Sequence, residues 1–335
     1  MIRFAAWLLG PLLCLANAAA SAQGTLLVGN KSDDTVWRLS LEDGRRLGES
    51  PTGAGPHEIA VSADGRQAIV TDYGHQQPGA SLSVLDATSG DPLRTIDLGG
   101  HGRPHGIRLL PGGDALVTTE ASDALLRVDP GAGTVAQAID VGAGVGHMVA
   151  VSRDGATAYV SKIAAGTVSR IDLASGRKTR EAPAGKGAEG IEVAPDGRVW
   201  VTNREDDTLT VHDPDTLDTL ATLSSEGFPI RVAFTPDGRH ALVTNAKAGT
   251  LAVFDAASHR RVATVALRPE GSEAGETLLG RGAMPIGVVA DPARPRVYVA
   301  ISGADRIAVI DAVEWRVLDM WATGRQPDAL AIVPE

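Results

Sequence analysis

The feature that most constrains this chain is an internal repeat of roughly 42 residues. Each full unit contains four short apolar segments that alternate with polar residues and are separated by turn residues such as Asp-Gly or Ser-Gly. Such segments are typical of antiparallel strands, and four strands in a unit of this length correspond to one blade of a β-propeller. The units begin at Pro56, Pro104, Gly146, Ala188, Pro229, Pro285 and Pro327.

The two ends of the chain supply complementary parts of one unit. The last unit, from Pro327, has only a first strand, whereas Leu26–Val28, Thr35–Leu39 and the residues after Arg45 match the second, third and fourth strands. The sequence therefore predicts an all-β, seven-bladed β-propeller with four antiparallel strands per blade. Residues 327–335 should pair with the strand that contains Leu26–Val28, which removes open strand edges.

The first residues form a separate segment. Arg3 is followed by an apolar stretch, Phe4–Leu15, and then by the small residues Ala20-Ser21-Ala22. This order is typical of a signal peptide cleaved after Ala22. We expect residues 1–22 to be that signal peptide, residues 23–335 to form one propeller domain, and the mature protein to be periplasmic or secreted. Because Cys14 is the only cysteine, the mature chain would have no disulfide or thiolate metal site.

Composition excludes several classes of partner. The chain carries 31 Lys and Arg against 41 Asp and Glu, a formal net charge of −10, which disfavours nucleic acid because phosphate binding needs a basic face. No later apolar run is long enough to span a membrane. No Cys-x-x-Cys-His sequence is present, so we expect no covalently attached haem. We expect a monomer.

Loop lengths differ mainly on one face of the predicted disc. The insertions are Tyr73–Ala80, Gly100–Arg103 and Arg268–Met284, all on the face where the first strands begin and the channel opens, which we call the channel mouth. Insertions confined to one face of a repeat protein often mark its binding face, although unconstrained loops also vary freely. We expect Arg268–Met284 to be a mobile lid with hinges near Gly271 and Gly282.

The second position of each unit is predicted to line the channel mouth. These positions are His57, His105, His147, Glu189, Ile230, Ile286 and Asp328. Imidazoles that converge with a carboxylate suit a divalent transition metal such as Zn, Fe, Mn or Cu. His57, His105, His147 and Glu189 are therefore candidate metal ligands. The alternative is that they cap strands or hydrogen-bond water.

A wider rim surrounds these positions. Charged and amide side chains there could orient a small polar ligand or contact a protein partner, and the alternative is a solvated rim. The candidate rim residues are Asp72, His75, His101, Arg103, Glu120, Lys162, Arg204 and Asn245. His212 falls away from the mouth, and we expect it at the surface.

The segments Trp200-Val201-Thr202-Asn203 and Leu242-Val243-Thr244-Asn245, each after Pro-Asp-Gly, resemble the YVTN-repeat β-propellers of exported bacterial and archaeal proteins. The resemblance covers residues 24–335 and implies the fold. It leaves the function open between a binding or scaffold protein with a ligand at the channel mouth and a metal-dependent hydrolase or lyase, similar to the lactonases, that uses the three histidines.

Overall fold

The structure is a computed structural model that describes residues 24–268, 275–277 and 279–333. The predicted signal peptide, residues 1–22 with Cys14, lies outside the described residues. The described residues form seven four-stranded antiparallel sheets and one two-stranded hairpin. Among these residues, no helix has the length and apolarity needed to cross a membrane.

The strands follow the predicted repeat in chain order. The closing blade begins with β1 (Thr25–Asn30), β2 (Thr35–Ser40) and β3 (Arg46–Pro51). Blade 1 contains β4 (Pro56–Val61), β5 (Gln67–Gly74), β6 (Pro78–Asp86) and β7 (Pro92–Asp97). Blade 2 contains β8 (Pro104–Leu109), β9 (Ala115–Thr119), β10 (Ala124–Asp129) and β11 (Thr134–Asp140). Blade 3 contains β12 (Gly146–Val151), β13 (Thr157–Lys162), β14 (Thr167–Asp172) and β15 (Arg177–Pro183).

The second half of the chain continues the pattern. Blade 4 contains β16 (Ala188–Val193), β17 (Val199–Asn203), β18 (Thr208–His212) and β19 (Thr219–Ser224). Blade 5 contains β20 (Pro229–Phe234), β21 (His240–Asn245), β22 (Thr250–Asp255) and β23 (Arg261–Ala266). The hairpin of β24 (Glu276–Thr277) and β25 (Gly280–Arg281) precedes blade 6, which contains β26 (Pro285–Ala290), β27 (Arg296–Ile301), β28 (Arg306–Asp311) and β29 (Val317–Ala322). The last strand is β30 (Pro327–Val333).

The predicted ring closure is confirmed. β30 pairs antiparallel with β1, and Leu26, Leu27 and Val28 lie opposite Ile332, Ala331 and Leu330. The closing blade thus has the order β3-β2-β1-β30. The innermost strands β4, β8, β12, β16, β20, β26 and β30 contact one another in succession around the channel.

The core lies between neighbouring blades and is largely aliphatic. One valine near the middle of the second strand of each blade has no solvent exposure. Burying such a side chain contributes roughly 1.5–3 kcal/mol, and the repeat provides this contribution in every blade. The seven residues are Val28, Val70, Val117, Val160, Val201, Val243 and Val299.

Two of the predicted insertions have defined structure at the mouth. Tyr73–Ala80 extends the hairpin of β5 and β6, in which Gly74 pairs with Pro78. The described part of Arg268–Met284 forms the β24–β25 hairpin, and Met284, at its end, is buried in the apolar core. Gly271, one predicted hinge of the lid, lies outside the described residues.

Candidate functional site

The backbone of each innermost strand is irregular at the channel mouth. In blade 2 the register between β8 and β9 shifts between Pro104 and Ile107, and in blade 3 the register between β12 and β13 shifts between Gly146 and Val149. Such bulges re-aim side chains. The shift lies at the second position of each unit, where His105 and His147 stand.

In five blades, the backbone carbonyl oxygen of the residue at the second position of the unit accepts a hydrogen bond from a hydroxyl group of the preceding blade. The Thr118 hydroxyl donates to the carbonyl oxygen of His147 at 2.5 Å, and the Thr71 hydroxyl donates to that of His105 at 3.0 Å. Each bond ties the mouth residue of one blade to the second strand of its neighbour. The other donors are Ser161, Thr202 and Thr244, which bond the carbonyl oxygens of Glu189, Ile230 and Ile286.

The residue that precedes each unit has a left-handed backbone conformation, with a positive φ, in all seven blades. Glycine occupies this position only at Gly55 and Gly187. Val145 has a φ of 62°, which is costly for a β-branched side chain. Sparsely populated backbone conformations cluster where surrounding structure over-determines them, often at functional sites. The remaining positions are Arg103, Phe228, Met284 and Gln326.

The side chains at the mouth enclose a cavity of about 170 Å³ with two unlike halves. His57, His105, His147, Glu189 and Asp328 form the polar half. The apolar half is formed by Ile230, Ile286 and Leu279, the last of which comes from the β24–β25 hairpin region. The hairpin is thus part of the mouth, as predicted for this insertion.

The three histidines are buried and lie against one another. The ring centroids of His57 and His105 are 4.2 Å apart, and those of His105 and His147 are 3.7 Å apart. The exposed fraction of each residue is 6% or less. Repeat symmetry therefore brings the three predicted ligands into one cluster.

Each of these rings has a buried nitrogen without a hydrogen-bond partner. The atoms are Nδ1 of His57, Nδ1 of His105 and Nε2 of His147. A buried polar atom without a partner is costly and calls for an explanation, such as an ion or ligand that supplies the missing contact. Three such atoms on touching rings mark this cluster as a candidate metal centre.

His147 is held from both sides by carboxylates. Its Nδ1 donates to Glu120 Oε1 at 2.5 Å, and its Nε2 lies 3.4 Å from Glu189 Oε1. The Tyr73 hydroxyl donates to the other oxygen of Glu120, Oε2, at 2.5 Å. Glu120 therefore links the blade 1 insertion to His147.

Arginines neutralise the charge of Glu189. Arg204 Nη1 donates to Glu189 Oε2 at 2.7 Å, and Arg231 Nη1 lies 3.4 Å from Glu189 Oε1. Arg231 also donates to Glu58 Oε1 at 2.8 Å, across the channel between blades 5 and 1. Glu58 and Arg231 also line a second cavity of about 460 Å³, together with Arg108.

Asp328 supplies a second carboxylate at the mouth. Its Oδ2 lies 3.3 Å from Lys31 Nζ and 3.5 Å from His57 Nδ1. Its Oδ1 is buried and has no hydrogen-bond partner. The polar half of the cavity thus has one unpartnered acceptor oxygen beside the unpartnered ring nitrogens.

The surroundings lower the pKa of two of the histidines and raise that of the third. Burial, together with the charges of Lys31 and Arg231, holds the pKa of His57 and His105 well below the ordinary value of 6.5. Burial acts to lower the pKa of His147 as well, but its hydrogen bond to Glu120 and the nearby negative charges of Glu189 and Glu120 outweigh burial and raise it. His57 and His105 are therefore neutral imidazoles at pH 7, the form that a metal ion requires.

Among the described residues, one set of three groups lies close enough together to hold a metal ion. Ligand atoms of His105, Glu120 and His147 all lie within 4.8 Å of one another. This group could hold a metal. It includes two of the predicted ligands and, in place of His57 and Glu189, the rim residue Glu120.

The predicted rim residues lie in three different environments. Arg204 lines the cavity, and Arg103 lies over the Tyr73 ring at 4.7 Å. His75 and His101 are at the periphery, paired with Asp34 and Ser122.

Whereas Glu120 bonds His147 at the mouth, three further rim residues point into the blades. Asp72 accepts hydrogen bonds from Ser81 and Ser83, and burial raises its pKa to about 6. Lys162 donates to Glu181, and Asn245 accepts from Ser225. None of these three lines the mouth cavity.

Sequence reasoning missed Tyr73 and Arg231 as site residues. Tyr73 lies in an insertion that the sequence does reveal, and Arg231 lies one position after the symmetric mouth position. The expectation that His212 lies at the surface is wrong. The side chain is fully buried, and both of its ring nitrogens have hydrogen-bond partners within blade 4, Leu217 O and Thr210 Oγ1.

Comparison with known proteins identifies the fold and no more. A structure of hydrazine synthase from Kuenenia stuttgartiensis matches 82% of this chain and 88% of its own, with a TM-score of 0.70 and 19% identity. A functionally unknown protein from Desulfotomaculum acetoxidans DSM 771 matches over 92% and 98%, with a TM-score of 0.76 and 16% identity. No protein-family model and no curated protein matches the sequence.

Proposed function

We propose that this protein is a binding protein that holds one divalent transition-metal ion at its channel mouth. The observation that carries the proposal is the cluster of three buried imidazoles, each with an unpartnered ring nitrogen. Imidazole nitrogen suits zinc, copper and nickel, whereas magnesium and calcium prefer oxygen. Two of the three rings are neutral at pH 7, so they need not lose a proton to bind.

The charge around the cluster is compatible with a cation. Lys31, Arg204 and Arg231 are matched by Glu58, Glu189 and Asp328, with which they pair directly. Glu120 adds a further carboxylate next to His147. The cavity is therefore not dominated by positive charge, so its electrostatics do not oppose the entry of a divalent ion.

The apolar half of the cavity supports binding of a further small ligand. Ile230, Ile286 and Leu279 face the polar half across about 170 Å³. An ion held by histidines on one side only keeps open coordination positions, which a small polar molecule could fill. The alternative, a metal-dependent hydrolase or lyase, has one specific observation in its favour, since Asp328 Oδ1 is an unpartnered oxygen that could serve as a general base.

The test is metal binding to the purified mature chain after chelator treatment. We expect wild-type protein to bind one equivalent of Zn²⁺, Cu²⁺ or Ni²⁺ by calorimetry and elemental analysis. His105→Ala should abolish this binding while it leaves the melting temperature near that of wild type. His240→Ala, a histidine that packs against Trp315 away from the mouth, is the matched control and should bind normally. Equal binding by wild type and His105→Ala would refute the proposal.

A second measurement separates the catalytic alternative. Metal-loaded wild type and Asp328→Asn are compared for hydrolysis of a simple lactone. Turnover that requires both the metal and Asp328 would favour the enzyme. Metal binding without turnover would favour the binding protein.

The cellular setting is also a proposal. The resemblance to YVTN-repeat propellers and the segment before Ala22 support export to the periplasm or the medium. Mass spectrometry of the protein from fractionated cells tests this, since a mature chain that begins at Gln23 outside the cytoplasm is expected.

A further inference from the structure

We infer that Tyr73 and Glu120 are positioning residues for the metal ion, and that Glu120 is not a ligand. This inference rests on the proposed function, because it concerns the same site. The hydroxyl of Tyr73 donates to Glu120 Oε2 at 2.5 Å, and His147 Nδ1 lies 2.5 Å from Glu120 Oε1. The three side chains come from the blade 1 insertion, blade 2 and blade 3.

The hydrogen bonds determine which nitrogen of His147 carries a proton. An ionised carboxylate only accepts hydrogen bonds, so Nδ1 of His147 must be the donor to Glu120. In the neutral ring this leaves the lone pair on Nε2, the nitrogen that has no hydrogen-bond partner. A histidine that binds a metal commonly donates its other N–H to a carboxylate, which fixes the tautomer and ring orientation.

Distances argue against Glu120 and His147 Nδ1 as joint ligands of one ion. Two donor atoms at 2.0–2.1 Å from a tetrahedral zinc ion are about 3.3 Å apart. The 2.5 Å between Glu120 Oε1 and His147 Nδ1 is too short for that arrangement. It is shorter than an ordinary N–H···O hydrogen bond and places a short hydrogen bond, not a shared ion, between these two atoms. By contrast, the 3.4 Å between His147 Nε2 and Glu189 Oε1 agrees with two ligands of one ion.

The blade 1 insertion, Tyr73–Ala80, places Tyr73 against the histidine cluster. It extends β5 so that the Tyr73 ring stacks on His57, with 4.7 Å between centroids and 22° between planes. The guanidinium of Arg103 covers the ring at 4.7 Å. Tyr73 is thus fixed by packing while its hydroxyl orients Glu120, and through Glu120 it orients His147.

The test compares zinc affinity in four variants. Glu120→Ala removes the acceptor for Nδ1–H and should weaken binding about 10–100-fold. Glu120→Gln keeps a carbonyl acceptor and should restore most of the affinity. Tyr73→Phe should weaken binding by less than Glu120→Ala. Tyr159→Phe is the matched control, since its hydroxyl bonds Pro214 O away from the site, and should leave affinity unchanged.

The outcomes are distinct. Equal, complete loss in Glu120→Gln and Glu120→Ala would show that Glu120 is a ligand and would overturn the inference. Unchanged affinity in Glu120→Ala would overturn it too. In zinc-loaded wild type, ¹⁵N NMR should show the proton of His147 on Nδ1, and a proton on Nε2 instead would contradict the inference.

A failure of the proposed function can be recognised separately. If wild-type protein binds no zinc, the same NMR measurement is made on metal-free protein at a pH at which His147 is neutral. A proton on Nδ1 in wild type that shifts toward Nε2 in Glu120→Ala would support the positioning role of Glu120 without a metal. An unchanged tautomer would overturn it.

Discussion

The hydroxyl of Thr118 in blade 2 donates a 2.5 Å hydrogen bond to the carbonyl oxygen of His147 in blade 3. The same hydroxyl accepts a hydrogen bond from the backbone N–H of Gly106 at 2.8 Å. Thr118 thus satisfies two backbone groups at the bulge that presents His105 and His147. The site and the join between blades depend on the same side chain.

Replacement of Thr118 by valine should therefore destabilise the protein. The near-isosteric side chain leaves two buried backbone groups without partners, which costs about 1–3 kcal/mol for each. Urea unfolding should show this loss, whereas Thr118→Ser should retain most of the stability because it keeps the hydroxyl. Equal stability of Thr118→Val and wild type would contradict the anchoring role.

Gly106 is predicted to tolerate no side chain. A Cβ there would lie 2.9 Å from Met148 Cα and Val149 N, both backbone atoms of blade 3. Gly106→Ala should cost about 1–3 kcal/mol through overpacking and should weaken metal binding at His147. Gly112→Ala is the control in the same blade, since its Cβ would meet no atom within 4 Å. Similar melting temperatures for the two variants would refute this prediction.

Asp72 should make stability depend on pH. Burial raises its folded-state pKa to about 6, above the unfolded value of about 3.9, so the folded state binds more protons between these values. The contribution of Asp72 to the free energy of unfolding is fully present below pH 4. It is lost as the pH rises through 6, which lowers the free energy of unfolding by about 3 kcal/mol. Asp72→Asn should be more stable than wild type at pH 7.5 and should lose this dependence.

The measurement for Asp72 is urea unfolding between pH 4.5 and 7.5. Because many carboxylates titrate in this range, the quantity of interest is the difference between variant and wild type. Asp86→Asn serves as control, since Asp86, the half-buried last residue of β6, has a pKa that is lowered by hydrogen bonds from the Ser89 and Thr88 backbone. A constant difference between Asp72→Asn and wild type across the range would show that Asp72 titrates normally.

Ring closure should be essential for solubility. Deletion of residues 327–335 removes β30 and exposes the edge of β1, so we expect aggregation and loss of cooperative unfolding. Deletion of residues 334 and 335 alone, which follow β30, should leave the melting temperature within a few degrees of wild type. If the longer deletion melted cooperatively at the wild-type temperature, β30 would not be needed to close the ring.

The sequence by itself determined the architecture. Turn chemistry and alternating apolar residues are local signals, and their repetition determined the number of blades, the pairing of β1 with β30 and the ring of second positions. Symmetry then placed His57, His105 and His147 together, since equivalent backbone positions project equivalently around one axis.

Only the tertiary structure decided which side chains meet. Arg231 pairs with Glu58, 173 residues away across the channel, and Tyr73 reaches Glu120 in the next blade. Repeat symmetry determines where each backbone position lies. It does not determine which side chain a residue contacts, because the contacting residues belong to other blades and differ from one blade to the next. For the same reason Asp72, Lys162 and Asn245, which the sequence placed on the rim, turn toward hydroxyl and carboxylate partners inside the blades, where burial makes an unpaired polar group costly.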